Sequence, residues 1–167
     1  MRRRGFDITA VAVSDSHHAG TPRNPGTQTP IGVGTTVVYA PELSERGIRR
    51  GIRAGRAYVK VFGPGGPDLR LSARAGRRRA IMGDWIRGRS ARLVARVIGG
   101  VSRPGAGARK LVVLKDGARI AEVPVTSDDF RYRFRSTGRG GYRIQLERGA
   151  AVEALTNPIT LGKRRRR

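Results

Sequence analysis

Hydrophobic and polar positions divide the chain into two parts, of which the first reads as α/β. Residues 5–13 form a nearly continuous apolar, β-branched run, which predicts a strand buried on both faces, as in a parallel sheet. Residues 14–34 are rich in Ser, Asp, His, Gly, Pro and Thr and predict a long loop. Residues 35–39 predict a short strand. Ser44 is then a suitable N-cap for a helix that Gly55 is placed to end.

From about residue 56 onward, the spacing of apolar positions changes from the helical period of about 3.6 to the strand period of about 2. Apolar side chains alternate with arginine in short runs, for example at residues 69–74, 92–97 and 130–135. The pair Asp116-Gly117 separates two further runs and predicts a hairpin. Six or seven such strands with regular turn signals predict an antiparallel β-sandwich with solvated arginine faces.

The two parts together predict an α+β chain with a domain boundary. A buried parallel strand at residues 5–13 needs neighbouring strands and covering helices, and nothing before it in this sequence provides them. We therefore expect residues 1–62 to be the C-terminal remnant of a larger α/β domain. Residues 66–162 are expected to form the β-sandwich, and residues 163–167 an unstructured basic tail.

Composition limits the chemistry and raises the question of an anionic partner. The absence of cysteine excludes disulfides, thiolate metal sites and cysteine nucleophiles. The net charge of +23 would attract nucleic acid or an anionic membrane surface. Arginine is spread along the whole chain and far outnumbers lysine. A base-composition bias in the coding DNA explains that pattern without any such partner, and it is the interpretation we favour.

Targeting signals are not evident in the sequence. No segment reaches the roughly 18 apolar residues that a membrane-spanning helix needs. The start, Met1 to Arg4, is basic, but no apolar signal core of about 7–15 residues follows it. We therefore expect no membrane partner and favour a cytoplasmic location.

Both histidines of the chain lie in the segment Ser14-Asp15-Ser16-His17-His18, directly after the first predicted strand. In α/β barrels, catalytic groups lie on the loops at this end of the strands. The carboxylate of Asp15 and the imidazole of His17 are donors that suit Zn, Mn or Fe. The pair therefore predicts half of a metal site. The alternative is a surface loop with two incidental histidines.

The surroundings of this pair resemble the end of a known hydrolase domain. Residues 9–17 look like the last metal-ligand motif of the PHP (polymerase and histidinol phosphatase) family, and the pattern is closest to its CehA/McbA-type branch. Further stretches that resemble the end of that barrel, or the close of the β-domain that follows it, are Gly32, residues 35–39, Leu43-Ser44, residues 51–59 and residues 152–159.

The resemblance implies a distorted β/α barrel that binds two or three divalent metal ions, which activate water to hydrolyse phosphoesters or related bonds. By this match Asp15 and His17 would be metal ligands. His18 would either contact a ligand without touching the metal or be exposed, and we favour exposure. The substrate of the intact protein would be a small-molecule phosphoester or a related compound.

The chain departs from the family in its number of metal ligands. The family's further His, Asp and Glu ligands lie on earlier strands, beginning with a His-x-His motif, whereas this chain has no histidine besides His17 and His18. Catalytic zinc sites typically have three protein ligands. We therefore expect the chain to be the C-terminal part of such a hydrolase, inactive without the missing N-terminal barrel segment.

A second hypothesis is a stand-alone basic β-sandwich that binds nucleic acid or other polyanions. Residues 130–135 place arginine on every outward position, which suits contacts to phosphate. The aromatic residues of this run point inward, so base stacking is not expected. Binding of this kind would be non-specific and sensitive to salt. We consider a nucleic-acid partner possible on this pattern but do not favour it.

Overall fold

The computed structural model describes residues 8–16, 31–101 and 107–162. Within these ranges the chain forms one helix, α1 (Glu45–Arg53), and twelve strands. The strands are β1 (Thr35–Val38), β2 (Ala57–Lys60), β3 (Asp68–Ala75), β4 (Arg78–Ile81), β5 (Trp85–Ile86), β6 (Arg92–Ile98), β7 (Arg109–Lys115), β8 (Ala118–Pro124), β9 (Asp129–Arg135), β10 (Gly140–Arg148), β11 (Ala151–Thr156) and β12 (Ile159–Leu161). Where the sequence predicts an α+β chain, the described residues are mostly β-sheet, and the predicted antiparallel pairing is confirmed.

The strands form two sheets. The larger has the order β1-β2-β11-β10-β12-β5, with β7 hydrogen-bonded to β10 and β8 to β7. The smaller has the order β4-β3-β6-β9. Among the described strands, β12 and β5 are the one parallel pair. Across the described ranges, no helix has the length and apolar character that crossing a bilayer requires.

The two sheets share one hydrophobic core. Leu69 and Leu93 from the smaller sheet belong to the same buried cluster as Leu111, Tyr142 and Ile144 from the larger sheet, and all five are fully buried. Burial of one such side chain contributes about 1.5–3 kcal/mol. Arginines on the alternate positions of β3 and β9 are exposed, which confirms the predicted period of two and the solvated arginine faces.

Helix α1 begins and ends where the sequence predicts. The Gly47 amide donates a hydrogen bond of 3.0 Å to the Ser44 hydroxyl, which caps the helix. After the helix, Gly55 adopts a φ of 71°, a left-handed conformation that favours glycine. Gly51 is buried against β1, where an added Cβ would lie 2.6 Å from the Val38 side chain. Close packing on β1 thus requires a glycine in this helix.

The strand predicted at residues 5–13 is not found in residues 8–13, the part of it that the structure describes. Side chains of Thr36 and Asn157 bond its backbone in place of a neighbouring strand, so no ladder forms. Nor is the segment buried on both faces, because Val11 is 52% and Val13 is 78% exposed. That prediction was wrong.

The residues before and after the predicted boundary at 62–66 lie in the same sheet. Strand β2 pairs with β11, with Tyr58 opposite Thr156 and Lys60 opposite Ala154. Strand β1 pairs in turn with β2. The turn between β2 and β3 is therefore a connection within the two-sheet body. The predicted basic tail at residues 163–167 lies outside the described residues.

Candidate functional site

The segment of residues 8–16, which ends in the predicted metal-ligand motif, is fastened to the two-sheet body by Asn157. The Ala10 amide donates to Asn157 Oδ1 over 2.7 Å, and Asn157 Nδ2 donates to the Ala10 carbonyl over 3.1 Å. The same Nδ2 also donates to the Ala57 carbonyl of β2 over 2.9 Å. Asn157 is buried, so these bonds are shielded from water. One side chain thereby joins the segment to the sheet.

Two threonines hold the same segment further along its length. The Ala12 amide donates to Thr36 Oγ1 over 2.8 Å, and this hydroxyl donates to the Ala12 carbonyl over 3.0 Å. Thr9 donates its hydroxyl proton to the Ile52 carbonyl at the end of α1. Close by, Gly34 has no room for a side chain, because an added Cβ would overlap the Val13 carbonyl oxygen. The path of the backbone up to Ser14 is thus fixed by β1, α1 and Asn157.

The structure places one member of the predicted metal pair. Asp15 is exposed and adopts a φ of 51°, which is uncommon for a residue other than glycine, although Asp tolerates it better than most. The second predicted ligand, His17, and its neighbour His18 lie outside the described residues. Among the residues that the structure describes, no group of three or more His, Cys, Asp and Glu side chains is arranged to hold a metal ion.

A cleft of about 320 Å³ lies where β1 and β2 meet the start of β3. Its polar centre is Asp68, whose Oδ1 accepts a hydrogen bond from the Tyr58 hydroxyl and forms an ion pair of 2.7 Å with Lys60 Nζ. Lys60 Nζ also donates to the Pro64 carbonyl over 2.8 Å. Lys60 and Tyr58 are both buried. The cluster therefore ties the β2–β3 turn to both strands.

The electrostatics of this cleft fix the protonation states of its groups. Burial and the hydrogen bond to Asp68 raise the pKa of Tyr58 well above its ordinary value. Burial also raises the pKa of Tyr39. For Asp68, burial works to raise the pKa, but hydrogen bonds from Lys60 and Tyr58, together with the positive charges of Lys60 and Arg70, outweigh it and lower the pKa. Near neutral pH the two phenols are therefore neutral and Asp68 is ionised.

Sequence reasoning did not single out this cleft. Two features of the sequence could have predicted it. Lys60 is a charged residue on an otherwise apolar strand, and Asp68 follows the turn at residues 63–67. A turn of that kind returns the chain toward the preceding strand, which brings a buried lysine and an acid together. The ion pair holds Lys60 in place and leaves Arg70 exposed at the rim. The contacts of Lys60 and Asp68 thus stabilise the turn between β2 and β3.

Comparison of the chain with protein-family models, with curated proteins and with solved structures finds no match. The arguments about function below rest on the residues and contacts of the chain itself.

Proposed function

We propose that this chain is the C-terminal part of a metal-dependent hydrolase of the PHP family. Residues 1–62 are then the end of its distorted β/α barrel, and its strands β1 and β2 continue the larger sheet of the β-rich body that residues 66–162 form. The intact protein hydrolyses a small-molecule phosphoester or a related bond. The chain alone is inactive, since it carries two of the metal ligands.

The observation that supports this proposal best is the uneven environment of residues 8–16. Ala10 and Ala12 are bonded to the body through Asn157 and Thr36, whereas Val11 and Val13 are largely exposed. Exposed β-branched side chains on alternate positions of an extended segment indicate a face that lacks a covering layer. This is the environment expected for a segment that becomes a barrel strand only when the rest of the barrel supplies neighbouring strands and covering helices.

The donors present are suited to a divalent metal but are incomplete. The carboxylate of Asp15 and the imidazole of His17 are ligand types that Zn, Mn and Fe accept. When bound, such an ion would supply an activated water for hydrolysis. Two protein ligands are fewer than a catalytic site needs, so the remaining ligands must come from the missing barrel segment.

The test compares the chain alone with a longer protein that includes the polypeptide encoded directly upstream in the same frame. We expect the upstream sequence to contain a His-x-His motif. The longer protein is expected to retain Zn, Mn or Fe after gel filtration and to hydrolyse p-nitrophenyl phosphate, and the chain alone to do neither. Bound metal is measured by plasma mass spectrometry.

Substitutions in the longer protein test whether Asp15 and His17 each bind the metal. Asp15→Asn and His17→Ala in the longer protein should each remove most of the bound metal and the activity, because each deletes one donor. His18→Ala is the matched control and should change neither quantity more than slightly. A longer protein that binds no metal, or one whose metal content is the same in all three variants, would end the proposal.

A further inference from the structure

The outward face of the smaller sheet carries arginines in cross-strand rows, and we call this surface the arginine face. The first row crosses all four strands, the second row crosses three, and Arg133 lies between the rows on β9. The first row consists of Arg79, Arg74, Arg92 and Arg135, and the second of Arg70, Arg96 and Arg131.

The fold itself creates these rows. On each strand the apolar positions turn into the core, so the alternate positions turn to solvent. The antiparallel registers then align the arginines, with Arg74 directly opposite Arg92 and Arg92 directly opposite Arg135. Like charges directly opposite one another destabilise a sheet. A surface built in this way gains stability when an anion is placed between the charges.

The positive charge of the arginine face is poorly balanced within the chain. Among the described residues, Asp129 is the carboxylate within ion-pair distance of these arginines, at 2.5 Å from Arg96 and 3.4 Å from Arg131, and Asp68 interacts with Arg70 at longer range. For the whole first row, and for Arg133, no described carboxylate lies within ion-pair distance. Apart from the hydrogen bond that Arg74 Nε donates to the Gly76 carbonyl, the first row is thus available to external anions.

A depression of about 380 Å³ extends from the second row over the positions that separate it from the first. It is lined by Arg70, Arg96 and Arg131, by the smaller side chains of Ser72 and Val94, and by Tyr39, which is partly buried against the core. The residues that separate the two rows on β3 and β6, Ser72 and Val94, have short side chains. The longer arginine side chains of the rows therefore extend further from the sheet. The arginine face is therefore two positive ridges with a shallow trough between them.

We propose that the arginine face binds the phosphate backbones of double-stranded nucleic acid. The two rows lie four residues apart along the strands, which corresponds to about 13 Å. That separation is close to the width of the major groove of B-DNA, about 12 Å. Each row is positioned to follow the phosphates on one side of the groove, and the planar guanidinium group suits bidentate contacts to phosphate.

The side chains of this face favour a duplex over a single strand or a membrane. Proteins that bind single strands use exposed aromatic residues on which bases stack. Here the aromatics of β9, Phe130, Tyr132 and Phe134, pack against the core instead. Membrane-surface binding typically uses exposed Trp, Phe and Leu beside the basic residues, whereas the outward apolar residues of the described strands β3, β6 and β9 are Val94 and Ile98, both only partly exposed.

The test measures binding of the full chain to a labelled DNA duplex of arbitrary sequence by fluorescence anisotropy at several salt concentrations. The double variant R92Q/R135Q removes two charges from the first row. Its matched control is R46Q/R50Q, which removes two exposed charges from α1. Loss of two phosphate contacts should weaken binding about 50-fold at ~0.1 M salt and lower the slope of log K against log salt by about 2. The control should change the affinity by less than about 3-fold.

Two further ligands complete the experiment. A single strand of the same sequence should bind the parent chain more weakly than the duplex at equal salt, and vesicles that contain phosphatidylserine should show no dependence on Arg92 and Arg135. Equal losses of duplex binding in both double variants would mean attraction by net charge alone and would overturn the proposal. Preference for the single strand, or vesicle binding that is lost with R92Q/R135Q, would overturn it as well. Circular dichroism of each variant verifies that the fold is retained.

Discussion

Asn157 and Ala10 exchange two hydrogen bonds although 147 residues separate them in the sequence. The carboxamide of Asn157 presents an acceptor to the N–H and a donor to the C=O of one residue, as a neighbouring antiparallel strand would. Its third bond, to the Ala57 carbonyl, links the same side chain to β2. The position of the segment that leads to Asp15 therefore depends on a residue near the other end of the chain.

Replacing Asn157 should lower stability. Asn157→Ala removes three hydrogen bonds and leaves the buried Ala57 carbonyl with one partner fewer, so we expect a loss of about 1–3 kcal/mol in the free energy of unfolding. Urea unfolding followed by circular dichroism measures this loss. Ser90→Ala, at an exposed position, is the control and should change the free energy by less than about 0.5 kcal/mol. Equal stability of the two variants would contradict the role assigned to Asn157.

Hydrogen exchange should alternate along residues 10–13. The amides of Ala10 and Ala12 are bonded to side chains of the body, whereas Val11 and Val13 are exposed. We expect slower exchange at the first two amides than at the second two, and exchange at all four far faster than at Ile144 in the core strand β10. Strong protection at all four positions in a monomer would count against the proposal that this segment belongs to a truncated barrel.

Two glutamates that contact the same cations should differ in their effect on stability. Glu147 is 2% exposed, and its Oε1 lies 2.7 Å from Arg119 Nη2. Glu122 contacts Arg119 and Lys110 as well but is exposed. Glu147→Gln should cost about 1.5–3 kcal/mol because a charged hydrogen bond is lost at a buried site. Glu122→Gln should cost clearly less, because water screens an exposed ion pair. Denaturant unfolding at neutral pH compares them, and a larger loss for Glu122→Gln would reverse the assignment.

Acid should weaken the cleft between β2 and β3. The folded pKa of Asp68 lies below the ordinary value of 3.8, so the unfolded chain binds its proton more tightly than the folded chain does. The stabilisation from Asp68 is therefore fully present above pH 3.8 and is lost as the pH falls through the folded pKa. Unfolding measured from about pH 5 downward should show a shallower pH dependence in Asp68→Asn than in the parent chain. Asp128→Asn, at an exposed position, is the control for removing one surface carboxylate.

Removing charge from the arginine face should stabilise the free protein at low salt. Arg92 and Arg135 lie directly opposite each other, and like charges in that position cost about 0.2–1 kcal/mol. R92Q/R135Q should therefore raise the melting temperature in the absence of nucleic acid, and more so than R46Q/R50Q. The difference should disappear at ~1 M salt, where the Debye length is about 3 Å. A lower melting temperature at low salt would show that these arginines do not repel one another.

The sequence predicts the regular elements after residue 35 well because local chemistry specifies them. Ser44 and Gly55 bound the helix as expected, and the Asp116-Gly117 pair forms the hairpin turn with both residues at positive φ. The arginine alternation at residues 130–135 correctly gives the exposed face of β9. These features depend on caps, turns and a period of two, all of which are local.

The sequence does not show which residues far apart along the chain come into contact. The apolar run at residues 5–13 has the composition of a buried strand, but Thr36 and Asn157, distant side chains, occupy the bonding positions. The cleft around Asp68 depends on Tyr58 and Lys60 meeting it across a turn, which no spacing rule specifies. The registers that align the arginine rows are likewise set by strand pairing. The predicted metal pair remains a prediction, because His17 lies outside the described residues.

The pairing of β2 with β11 has a consequence for how this protein can be divided. A fragment that starts at residue 66 would lack β2, and the backbone of Ala154 to Thr156 would face solvent as an open edge. Such an edge recruits a strand from another molecule, so the fragment should self-associate, by strand exchange or by aggregation. Any transplant of the β-rich body into another protein must therefore carry residues 35–60 with it.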